Sequence, residues 1–117
     1  MCYNTSIFEI NECAGYDMQT ITICGSMRFE KEMQRIAFEL EVKHRFNVLQ
    51  CVYGLKKSEL TPADLDILEE AHLKRIDLSD AIYVVDIGGH IGSMTREEIK
   101  YAKENGKEII FHSEYAL

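Results

Sequence analysis

Tryptophan is absent and proline occurs once in this chain of 117 residues. No stretch approaches the roughly 18 consecutive apolar residues of a membrane span, and the N-terminus lacks the basic-then-apolar pattern of a secretory leader. The expectation is a cytoplasmic protein with no membrane partner. Basic residues are outnumbered, giving a formal net charge of -7. Nucleic-acid binders usually carry a basic face, so no nucleic-acid partner is expected. The four cysteines (Cys2, Cys13, Cys24 and Cys51) form no C-x-x-C pair and have no histidine at zinc spacing. Neither a metal nor another cofactor is therefore expected. Neither G-x-G-x-x-G nor G-x-x-x-x-G-K-[ST] is present, and there is no internal repeat or low-complexity stretch.

What remains is mixed charge and an ordinary apolar fraction, in a chain long enough for one self-contained core. Residues 1–19 form an N-terminal segment without a clear pattern, an edge strand or an oligomer contact. From residue 20 to 117 the pattern is that of one α/β domain. "TITIC" is a β-branched run suited to a buried parallel strand. Phe29, Met33, Ile36, Ala37 and Leu40 follow at helical spacing. "FNVLQCVY" reads as a second strand, and "TPAD" opens a helix with Thr61 as cap, Pro62 in the first turn and Asp64 closing a capping box. Leu65, Leu68, His72 and Ile76 then share one stripe. "AIYVVDI" is a third strand, "GGHIGS" a glycine-rich loop, "MTREEIKYAKEN" a third helix ended by Gly106, and "KEIIFH" a fourth strand. Alternating strands and helices predict a three-layer αβα sandwich with a mainly parallel sheet of four to five strands, flavodoxin- or Rossmann-like. Ligands of such sheets bind beyond the carboxyl ends of the strands.

Two loops occupy that edge. After the first strand, Gly25 lets a ligand approach the backbone, while the Ser26 hydroxyl and the Arg28 fork suit phosphate oxygens. The alternative is that Ser26 only caps a helix and Arg28 is solvated. After the third strand come Asp86, the glycine loop with Gly92 and Ser93, and then Thr95 and Glu98. Thr95 and Glu98 stand at capping-box spacing, so Glu98 either satisfies end-of-helix donors or lies in a pocket. In a pocket near a helix N-terminus, the dipole would keep it ionised and able to act as a nucleophile. Asp86 either caps a turn or faces a ligand. His72 is either a half-buried core histidine or a catalytic group. Cys24 reads as a small buried hydrophobe.

These residues give the chain a resemblance to the nucleoside 2-deoxyribosyltransferase superfamily, including the 2'-deoxynucleoside 5'-phosphate N-hydrolases. The likeness runs from about Thr20 to Phe111 and is carried by "ICGSMR", "IDLSDAIYVVD" and "TREEIKYAKENGKEI". It implies that Glu98 is the nucleophile that attacks the anomeric carbon of a nucleoside or nucleoside 5'-monophosphate. Gly25, Ser26, Arg28, Gly92, Ser93 and Thr95 would then hold the substrate. Asp86 would orient the sugar or base, and His72, which stands where the family carries an aspartate, would assist the leaving group. A homo-oligomer completing its site across an interface is also implied. The alternative is a non-catalytic nucleotide-binding or regulatory module of the same fold.

Overall fold

Two runs rich in β-branched residues form the centre of the sheet in the computed structural model, which describes residues 18–115. Strand β1 (Thr20–Gly25) pairs in parallel with β3 (Ala81–Val85) along its length, from Ile21 opposite Ala81 to Gly25 opposite Val85. Strand β2 (Asn47–Leu49) lies outside β1, and β4 (Glu108–Phe111) lies outside β3. All pairings are parallel, in the order β2-β1-β3-β4. The αβα architecture read from the sequence is therefore present, with four strands. The edge-strand or oligomer-contact reading of residues 1–19 falls almost entirely outside the described residues.

Period-two alternation divides the sheet between two cores. Ile21, Ile23, Ala81, Tyr83 and Val85 pack against Met33, Ile36, Ala37 and Leu40 of helix α1 (Glu30–Val42). Cys24, Ile82 and Val84 face the other way. They meet Ile76 of helix α2 (Pro62–Asp77) and Ala102 of helix α3 (Ser93–Glu104). Strands buried on both faces explain why β1 and β3 are continuous apolar runs rather than alternating ones.

Helix α2 starts where its sequence says. Thr61 Oγ1 accepts the Asp64 amide and Asp64 returns a carboxylate to the Thr61 amide, both at 3.0 Å. Its other end is tied to the sheet: Ser79 Oγ donates to the Arg75 carbonyl at 2.8 Å and accepts from Thr22 Oγ1 at 2.7 Å. Asp80 accepts the Thr20 amide at 2.9 Å.

Two sequence expectations are corrected. The second strand is three residues rather than eight; from Gln50 the chain leaves the sheet, and Cys51, Val52 and Leu55 line a pocket instead. Helix α3 starts at Ser93 with Gly92 as its cap, so Thr95 and Glu98 form no capping box; both side chains are buried inside the helix.

Candidate active site

The chain order reverses between β1 and β3, and the two loops leaving their carboxyl ends meet there. Gly25 ends β1 under tight packing. A methyl group on it would lie 3.1 Å from Met33 Sδ and 3.2 Å from Val85 Cβ. Ser26 then caps a single turn (Met27–Phe29), its hydroxyl accepting the Arg28 amide at 3.3 Å. Across the crevice, a Cβ on Gly92 would stand only 3.8 Å from Ser26 Cβ. The loop reaches this position through left-handed turns at Gly88 and Gly89, with φ of 64° and 79°.

The crevice opens into a pocket of about 520 Å³. Gly25, Ser26, Arg28, His72, Gly92, Ser93, Thr95 and Glu98 all line it, so the structure brings together eight of the nine residues singled out from the sequence. Four half-exposed apolar side chains, Met27, Val52, Leu55 and Met94, surround its mouth. Arg28 and Lys57 add positive charge there, and the first turn of α3 directs its free amides toward the same space.

Asp86 is the exception. Its two carboxylate oxygens accept the Ser113 amide at 2.9 Å and the Ser113 hydroxyl at 2.7 Å. It is buried and does not line the pocket, so it clamps the C-terminal turn (His112–Glu114) to the end of β3.

Glu69, His72 and Glu98 line the pocket, and the buried Cys24 lies just behind them, so that groups from three elements meet there. Cys24 comes from β1, Glu69 and His72 from α2, and Glu98 from α3. His72 Nε2 lies 3.4 Å from Cys24 Sγ and 3.7 Å from Glu98 Oε1, while its Nδ1 lies 3.4 Å from the Arg75 guanidinium. A guanidinium can only donate, so Nδ1 accepts and the imidazole proton sits on Nε2, aimed at Cys24 and Glu98. Burial, with Arg75 adding to it, lowers the His72 pKa to about 4. The imidazole is therefore neutral, and its contact with Glu98 is not an ion pair.

Glu98 is raised far above the usual carboxylate range, first by burial and then by the hydrogen bond and charge of Glu69; the Cys24 thiol opposes this weakly. Glu69 is raised by its own burial. Glu98 therefore keeps its proton in the free pocket, beside the Glu69 carboxyl. The expectation that the α3 dipole holds Glu98 ionised is overturned, because Glu98 sits in the second turn, where desolvation and a like charge outweigh the helix terminus. The Cys24 thiol is raised well above its ordinary value by burial and by Glu98. Sequence reasoning missed Glu69 and gave Cys24 only a packing role. Glu69 was legible: it lies four residues after Leu65 and three before His72, on the same helical stripe.

No protein-family model, curated protein or solved structure matches the chain.

Proposed function

We propose that the protein cleaves or exchanges the N-glycosidic bond of a nucleoside or nucleoside 5'-monophosphate, with Glu98 as nucleophile. One observation carries the reading: a buried carboxyl on α3 faces a pocket whose opposite lip carries Ser26 and Arg28. The apolar mouth suits a flat base, and the cationic lip with the α3 N-terminus suits the oxygens at the 5' end of the sugar.

In this mechanism Glu69 takes the proton from Glu98, which leaves Glu98 ionised. Glu98 then attacks the anomeric carbon as the C–N bond breaks through an oxocarbenium-like transition state. The departing base keeps the electron pair of that bond and takes up a proton delivered through the open mouth of the pocket. Water or a second base then displaces Glu98 from the sugar. His72 points its proton at Glu98 and Cys24 rather than at the pocket mouth. Its role is thus to orient Glu98, not to assist the leaving group as its sequence position implied.

The test is base release from a panel of ribo- and deoxyribonucleosides and their 5'-monophosphates. Wild-type protein is expected to release base from at least one, and Glu98→Gln to release at least about 10³-fold less while remaining folded. Absence of base release from the whole panel refutes the proposal. The neutral state of Glu98 in the free pocket favours a second reading, a nucleotide-binding module without turnover. Calorimetry separates the two, since the module binds nucleotide with no free base appearing.

A further inference from the structure

Cys24 Sγ, His72 Nε2 and a Glu98 carboxylate oxygen all lie within 4.8 Å of one another, and all three residues are buried. The geometry points to a binding site for a single divalent transition-metal ion of the zinc class, held by Cys24, His72 and Glu98 where the last two line the pocket and Cys24 lies buried behind them. This inference does not rest on the glycosidase reading.

Three observations support it. The first is spacing. Usual zinc bond lengths with tetrahedral angles put sulfur and nitrogen ligands about 3.6 Å apart, and nitrogen and oxygen ligands about 3.4 Å apart. Here the sulfur–nitrogen separation is 3.4 Å and the nitrogen–oxygen separation is 3.7 Å. The third pair, the Cys24 sulfur and the Glu98 oxygen, lies within 4.8 Å and closes toward about 3.6 Å when the ion is seated. The second is charge. When the ion binds, the Cys24 thiol and the Glu98 carboxyl each release one proton to solvent, and the dication replaces them. Thiolate and carboxylate together balance the dication beside a neutral imidazole, so the ion and its three ligands carry no net buried charge. The third is ligand chemistry. A thiolate, an imidazole and a carboxylate together favour zinc-like ions over magnesium or calcium, which take oxygen donors alone. His72 and Glu98 both line the pocket, which leaves the fourth tetrahedral position open to water, as in catalytic zinc sites.

Arg75 opposes binding. A metal on Nε2 requires the imidazole proton to move to Nδ1, which then faces the guanidinium donor 3.4 Å away. Metal-bound histidines normally give that proton to an acceptor. Arg75 must therefore turn aside, and replacing it with an acceptor should tighten the site. Metal binding also engages Glu98, so the bound ion and attack by Glu98 exclude each other.

The experiment uses chelator-stripped, reduced full-length protein titrated with cobalt(II). The expected result is a near-ultraviolet thiolate-to-cobalt absorption band together with intense visible bands of tetrahedral cobalt, both removed by one equivalent of zinc(II). Cys24→Ser should lose the thiolate band with unchanged far-ultraviolet circular dichroism, whereas Cys51→Ser should keep it. Arg75→Gln, whose amide oxygen can accept from Nδ1–H, should bind cobalt about tenfold more tightly. Absence of any band in the wild type overturns the proposal. So does a thiolate band that survives Cys24→Ser, since it would come from another cysteine.

Discussion

Glu98 and Glu69 pose a question of protons before one of geometry. A carboxyl can act as a nucleophile only when ionised, yet burial and a second carboxyl hold this one neutral in the free pocket. The pH dependence should show this. In metal-free protein, base release should rise with pH along a limb placed well above the ordinary carboxylate range. Glu69→Gln removes the like charge beside Glu98, so that limb should shift to lower pH; a pH profile of kcat/KM measures the shift. A limb that stays in place would mean that Glu69 does not control Glu98. This arrangement was only partly legible. Glu98 and His72 stood out in the sequence by position and residue type. Cys24 did not, because a cysteine closing an apolar run looks the same whether its sulfur touches carbon or an imidazole. The contact is made by three elements meeting, and no local spacing encodes it.

At the scale of elements, the loop–strand junctions decide what the pocket can hold. Gly25 is required by contact rather than by backbone angle. Gly25→Ala forces a methyl group to within 3.1–3.3 Å of Met33 Sδ, Val85 Cβ and the Val85 carbonyl. It should cost about 1–3 kcal/mol in urea unfolding, and it should push the Ser26 loop toward Gly92. Asp86→Ala should cost less, about 0.5–1.5 kcal/mol, by removing two hydrogen bonds to Ser113, whose exposed donors then turn to water. Because Asp86 stands outside the pocket, base release per folded molecule should be retained; a proportionate loss would return it to the site. Strands β1 and β3 were plain in the sequence, since both faces are buried and the residues are β-branched. β2 was over-read: "FNVLQCVY" is mostly apolar, but only Asn47–Leu49 finds partners on β1, opposite Thr20–Thr22. The apolar residues beyond it cover the ligand space instead. The α3 start was read to within one residue, whereas the capping box suggested by the Thr95–Glu98 spacing does not form, because the chain has already turned helical at Ser93.

For the molecule as a whole, the buried groups predict an uneven response to pH. Glu98 and Glu69 have folded-state pKa values above their unfolded ones. Stability is therefore fully present below the unfolded carboxylate value, about 4.3, and declines as pH rises. His72 is depressed to about 4, so it removes stability as pH falls below its unfolded value, about 6.5. The two trends oppose each other between those values, and only the carboxyl loss continues above them. Metal-free protein should therefore melt at a lower temperature near pH 9 than near pH 6.5. Glu98→Gln should flatten that difference in a thermal scan, and an unchanged slope would place the loss elsewhere.

The bond from Thr22 to Ser79, and from Ser79 to the Arg75 carbonyl, nails down the far end of α2. Among the described residues, the end near Thr61 has its own capping box and follows a stretch from Gln50 to Leu60 with no strand partners. The helix thus behaves as a lever with a fixed fulcrum beside the sheet. Any widening of the entrance must come from swinging its free end, while the residues nearest the fulcrum, His72 and Arg75, keep their alignment. Amide exchange along α2 should record this as a gradient, fastest near Leu65 and slowest near Ile76.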